Sequence, residues 1–173
     1  MSRVDSGRRA FLRGTLLTRS GRATEVLRQQ PLGPSPPWHR GLALDKTCPD
    51  CAHPCVTACE PDIIRLHPAG HELAGIPYLD FVNSGCTFCK ACVVACPMEI
   101  ETTATANPGI GKARLNTETC IAWDDVICMS CHGRCDYQAI STEFQRRARI
   151  DTDRCTGCGM CVSACPVGAL SIG

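Results

Sequence analysis

Sixteen cysteines, sorted into four groups of four with none left over, constrain this 173-residue chain more than any other feature. Cys48, Cys51, Cys55 and Cys59 form the first group; Cys86, Cys89, Cys92 and Cys96 the second; Cys120, Cys128, Cys131 and Cys135 the third; Cys155, Cys158, Cys161 and Cys165 the fourth. The second and fourth groups share the spacing C-x2-C-x2-C-x3-C, followed by Pro97 and Pro166. The first carries an additional residue between Cys51 and Cys55, with Pro54 in the extra space, and the third has seven residues between Cys120 and Cys128. The first cysteines of successive groups recur at intervals of 38, 34 and 35 residues, a period that calls for one small supersecondary unit per group.

Disulfides, zinc and iron–sulfur clusters compete for cysteine at this density. No secretory signal supports disulfides: the longest apolar candidate, Thr15 to Thr18, is broken by Arg13 and Arg19. Zinc draws two close ligands from one knuckle and two from another, whereas three thiolates at two-residue intervals fit three corners of a cubane. The spacing of the second and fourth groups is the signature of bacterial 4Fe-4S ferredoxins. Gly157 and Gly159 let the loop curl close to the sulfurs, and Pro166 turns the chain so that Cys165 reaches a neighbouring cluster. That paired architecture allocates ligands crosswise. Cys48, Cys51 and Cys55 go with Cys96, and Cys86, Cys89 and Cys92 with Cys59. Cys120, Cys128 and Cys131 go with Cys165, and Cys155, Cys158 and Cys161 with Cys135. Up to four 4Fe-4S clusters are therefore expected, those built on the irregular groups at Cys48 and Cys120 being the more labile.

The expected fold is α+β: two tandem bacterial-type 2×(4Fe-4S) ferredoxin modules behind a basic, mostly irregular N-terminal arm. Residues 47–103 and 112–173 are the modules, with residues 104–111 as linker. Apolar alternation places short strands at Tyr78 to Val82, Ala113 to Leu115 and Ala148 to Ile150, and after the groups at Ile63-Ile64, Ala139-Ile140 and Ala169-Leu170. Only 5% of the chain is aromatic, too little for a large core, so the clusters must staple it.

The arm, residues 1–46, holds nine Arg and Lys against three Asp and Glu, a local net of about +6; the remainder, at about −5, hides it behind a formal +1. Arg8-Arg9 followed by Phe11-Leu12 is similar to a twin-arginine export motif. The polar continuation from Gly14 lacks an h-region, so a retained, cytoplasmic arm with one amphipathic turn at Ala10 to Leu17 is expected. Pro31 to Pro37 reads as an extended linker, and Trp38 as an anchor of the arm on the body or a partner contact. His53 and His132 sit inside cysteine groups as loop residues; His39, His67 and His71 read as solvent-facing, and Asp124-Asp125 as a solvated loop tip. No Walker loop, dinucleotide turn or G-x-S-x-G elbow occurs. Neither an enzyme, a nucleic-acid partner nor an integral membrane segment is expected.

With Arg8-Arg9, Pro36-Pro37-Trp38, Cys86-Thr87-Phe88-Cys89-Lys90-Ala91-Cys92 and the stretch from Cys120 to Cys128, the chain resembles the NapF family over nearly its full length. These are ferredoxin-type accessory proteins of the periplasmic nitrate reductase system. The departure is Cys51-Ala52-His53-Pro54-Cys55, one residue longer than the family's usual first group. The resemblance implies a cytoplasmic iron–sulfur protein that contacts the catalytic subunit before export and supports insertion of its 4Fe-4S cluster. Arg8, Arg9 and Trp38 are the expected partner contacts. The alternative is a polyferredoxin-type electron carrier between a donor and a reductase, which would hold its clusters firmly where a maturation factor releases one.

Overall fold

The computed structural model describes residues 29–39, 42–100, 102, 108–142 and 147–173. Arg8, Arg9, the turn expected at Ala10 to Leu17 and residues 104–107 of the expected linker lie outside them. The described elements are short, as one small unit per cysteine group requires. They are α1 (Leu44–Thr47), a 3-10 turn (Cys48–Asp50), α2 (Pro54–Thr57), β1 (Ile64–Leu66), β2 (Pro77–Leu79) and α3 (Ala91–Ala95). After these come β3 (Ala113–Leu115), a 3-10 turn (Ile121–Trp123), α4 (Ser130–Gly133), β4 (Ile140–Thr142), β5 (Ala148–Ile150), α5 (Met160–Ser163) and β6 (Leu170–Ile172).

In the second module the strands form two antiparallel pairs. The strand before the third group, β3, pairs with the strand after the fourth, β6, in the register Ala113↔Ile172 and Leu115↔Leu170. Between them β4 pairs with β5, Ile140↔Ile150 and Thr142↔Ala148. Each of these three-residue strands opens on a buried residue and exposes its middle one, the period-two pattern of a sheet covered on one face. Ala113, Ile140, Ala148 and Leu170 thereby meet Cys161 in one small core. The first module has β1 and β2 paired, Ile64↔Leu79 and Leu66↔Pro77, and among the described residues no second pair.

The segment expected to be a linker lies against the first module instead. Leu79 N–H donates to the Pro34 carbonyl at 2.8 Å, Pro36 and Pro37 are fully buried, and Trp38 N–H donates to the Pro108 carbonyl at 2.7 Å. At Gly33 a Cβ would collide with the Leu79 carbonyl oxygen, so only glycine lets the chain pass this close. Prolines cannot extend a ladder, and this strap accordingly takes a single bond from β2 rather than forming a third strand.

The expectation that His39, His67 and His71 face solvent is wrong: they are 2%, 4% and 9% exposed. Each is buried because backbone groups satisfy its ring. His67 Nδ1–H donates to the Ile76 carbonyl (2.7 Å) while Nε2 accepts from Leu32 N–H (3.2 Å). His71 Nε2–H donates to the Gln30 carbonyl (3.0 Å) while Nδ1 accepts from Leu73 N–H (3.0 Å). His39 Nδ1–H donates to the Pro37 carbonyl at 2.8 Å. Two imidazoles in tilted contact, centroids 4.7 Å apart, thus clamp residues 30–32 of the strap.

The modules share a core. Ile63, Ile64, Leu79, Phe81 and Ile110 pack with Cys55 and Cys92, and Val162 and Ile172 of the second module close against them. Burial of each large aliphatic or aromatic side chain there contributes roughly 1.5–3 kcal/mol. The Phe81 ring lies where a side chain on Gly159 would stand. Cys86 N–H donates across the boundary to the Cys158 carbonyl at 2.6 Å.

Candidate iron–sulfur centres

Every cysteine group has one short α-helix that carries its third cysteine, and the first and third groups add a 3-10 turn. In three of the four, the residue two before the third cysteine is left-handed and starts the helix: His53 (φ 55°) before α2, Lys90 (φ 64°) before α3, Gly159 (φ 78°) before α5. That reversal wraps the loop so its first three thiols turn the same way. Pro54 does not occupy an extra space; it is the first residue of α2, where its missing N–H costs nothing, as Ala91 and Met160 are of theirs. The additional residue is absorbed at exposed Ala52. In the third group Met129 has φ −129°, and the long interval is taken up by the 3-10 turn and an exposed tip. There Trp123 Nε1–H donates to the Ala148 carbonyl (3.3 Å), and the Arg147 guanidinium lies 5.3 Å over the Trp123 ring and 3.8 Å from Asp125. Asp124 and Asp125 are exposed, as a loop tip requires.

The four sets of thiols assemble crosswise. Cys48, Cys51, Cys55 and Cys96 line one hollow with His39 and His53. Cys59, Cys86, Cys89 and Cys92 line a second, of about 330 Å³, with Trp38, Phe88 and Lys90. Cys135, Cys155, Cys158 and Cys161 line a third with Thr156 and Gly159. Cys120, Cys128 and Cys165 meet around Ala122 and Ala169, with Cys131 beside Cys120 and Cys128. All sixteen are free thiols. Among the described residues no three Cys, His, Asp or Glu converge on one point as a single ion needs; the thiols of three sets ring hollows, the shape a polynuclear cluster requires.

The donor set fits such a cluster. Backbone N–H groups point at sulfur in several sets: His53 at Cys51 (3.4 Å), Phe88 at Cys86 (3.4 Å), Ala113 at Cys155 (3.3 Å), Ala139 at Cys135 (3.3 Å) and Ala169 at Cys165 (3.2 Å). Burial, reinforced by neighbouring thiols, pushes Cys92 and Cys161 up to about 12 and Cys48 up to about 11. Burial likewise pushes Cys86 up to about 11, against the opposing pull of the Phe88 N–H. Thiols raised in this way give up their protons when positive charge enters beside them, so metal binding at Cys48, Cys86, Cys92 or Cys161 would be coupled to proton release. His53 Nε2–H is tied to the Gly75 carbonyl (2.7 Å), in its loop as expected, whereas His132 is exposed on the short helix α4. Spacing alone gave no sign that Trp38 and His39, adjacent in the strap, line two different hollows.

Four crosswise sets of thiols in two tandem modules have the form of a ferredoxin-type 4Fe-4S protein. The 4Fe-4S dicluster domain family matches residues 47–100, and the 4Fe-4S binding domain family residues 148–171, leaving the stretched third group outside both. The ferredoxin-type protein NapF of Haemophilus influenzae (strain Rd) is 31% identical over 95% of this chain and 92% of its own. NapF of Escherichia coli (strain K12) is 28% identical over 98% and 95%, and the ferredoxin-type protein NapG of the same organism 29% over 95% and 83%. The chain belongs to the NapF family of ferredoxin-type proteins, and it carries 4Fe-4S clusters.

Proposed function

We propose that this chain is a cytoplasmic accessory protein that assists maturation of the catalytic subunit of a periplasmic nitrate reductase, supporting insertion of that subunit's 4Fe-4S cluster before export. All sixteen cysteines are the iron ligands, in the four crosswise sets, and the protein is not itself an enzyme. The observation that carries the reading is inequality among otherwise repeated sites. Two groups keep the regular loop, one absorbs Ala52, and one lacks the left-handed turn and stretches to a tip at Asp125, so the clusters differ in how firmly they are held. Among the described residues no helix is long and apolar enough to cross a membrane.

The test is anaerobic reconstitution followed by transfer to the apo catalytic subunit, comparing the parent with Arg8→Ala/Arg9→Ala at low and moderate salt. Transfer from the parent, and weaker association of the arm variant with unchanged iron content, are expected. The net +6 of the arm makes that association salt-sensitive. Reversible redox cycling without any loss of iron to the client would sink the proposal in favour of an electron carrier. One observation favours that second reading: the Cys86 to Cys158 backbone bond joins cysteine loops of different modules, as a relay between them would need.

A further inference from the structure

Among the described residues, three buried side-chain nitrogen or oxygen atoms have no hydrogen-bond partner in the protein: Trp38 Nε1, Arg147 Nε and Thr156 Oγ1. A buried donor left in that state has given up its bond to water and gained none in return, which disfavours the fold. Of the chain's two tryptophans, Trp123 satisfies its N–H on the Ala148 carbonyl, whereas Trp38 lies on the wall of the hollow ringed by Cys59, Cys86, Cys89 and Cys92.

The effort made to hold Trp38 there is visible in the backbone. Trp38 itself is left-handed (φ 63°), and so are Phe88 (φ 56°) and Lys90 (φ 64°) in the cysteine loop beneath it. The fourth group places glycines, Gly157 and Gly159, at the two corresponding positions. Each non-glycine residue so placed is strained, its Cβ crowded against the following carbonyl oxygen. Their side chains are what the strain secures. The Phe88 ring meets Trp38 edge-on at 6.3 Å, and the Lys90 ammonium sits 5.7 Å from the indole centroid, where it draws electron density and strengthens the N–H as a donor. From the other side, the Pro108 carbonyl fixes the Trp38 backbone.

We propose that Trp38 Nε1–H donates a hydrogen bond to sulfur of the cluster held by Cys59, Cys86, Cys89 and Cys92, making the strap both the cover and the tuning element of that one cluster. The inference rests on the ligand set proposed for that hollow. A donor to sulfur stabilises the more negative, reduced state and so favours reduction of this cluster over its neighbours. Cys89 is the exposed ligand of the set, so the strap covers the wall while the rim stays open. Displacing the strap would remove donor and cover together.

The experiment uses the full chain, reconstituted anaerobically, carrying ¹⁵N at the indole nitrogen and reduced with dithionite, read by pulsed EPR. A ¹⁵N coupling to a reduced cluster is expected in the parent and in Trp123→Phe, and none in Trp38→Phe. With iron content unchanged, the reduced-to-oxidised ratio of one cluster at fixed potential should fall roughly three- to tenfold in Trp38→Phe. Trp38→Leu, which also removes the ring contacts, should give the same ratio but lose iron faster to a chelator. Absence of the coupling in the parent, or a Trp38→Phe protein with the parent's ratio, overturns the proposal. Cys89→Ala, which leaves no side-chain donor at that position, separates the premise: full iron retention there would overturn the ligand set itself.

Discussion

In the second module the strand before the third cysteine group pairs with the strand after the fourth, so β3 and β6 stitch its two ends together. The first module has β1 and β2 alone among the described residues, and a proline-rich strap from the arm lies along it. One module is closed by its own chain ends, the other by a segment it borrows. The second is therefore a self-contained holder, while anything that pulls on the strap reaches the clusters of the first. Even the loops reflect this: glycine where the fourth group turns left-handed, Phe88 and Lys90 where the second group must also grip Trp38.

The sharpest way to break the comparison is at the joint. Phe81→Ala empties the seat over Gly159 and should destabilise the protein by about 3–5 kcal/mol, read in anaerobic denaturant titrations. The first module should shed its iron at lower denaturant than the second; simultaneous release would mean the two stand or fall together. A smaller effect is expected from Gly33→Val, which wedges the strap off Leu79 at a cost of about 1–3 kcal/mol. Iron release should quicken in the first module only, and an equal effect on both would deny the strap its local role.

The smallest effect concerns pH. Burial holds His67 below the ordinary histidine range, the bond it donates to the Ile76 carbonyl opposes this, and His71 adds to the lowering. The unfolded or undocked form thus takes up a proton first, so clamp stability is full above about pH 6.5 and declines as pH falls below it. Protection of the Leu32 amide against hydrogen exchange, corrected for intrinsic rates, should drop between about pH 7.5 and 5.5. His67→Gln, which keeps both a donor and an acceptor but cannot titrate, should flatten that drop; if it does not, the clamp is not the titrating element.

Much of the second module was legible because its signals are local. Ala113-Arg114-Leu115 and Ala148-Arg149-Ile150 carry their period on three residues, and Cys155 to Cys161 carry a loop geometry in their spacing. What could not be read depends on distant backbone. His71 is buried where the Gln30 carbonyl, 41 residues away, accepts its hydrogen bond, and no pattern around position 71 reports that. Pro54 looked like an insertion because spacing was counted from Cys51, whereas the helix fixes it from Cys55. The strap was mistaken for a linker because proline content signals extension, and says nothing of what lies alongside.

The seating of Phe81 also has a consequence for synthesis. The first module leaves the ribosome first, yet its core is completed by Val162 and Ile172, and the Cys86 amide finds its partner only at Cys158. Chain growth at about 5–20 residues per second leaves that core open until the fourth group has been made. The residues that line its two thiol hollows have by then been made, so what waits on the fourth group is the joint, the seat of Phe81 over Gly159 and the partner of the Cys86 amide, and not the hollows.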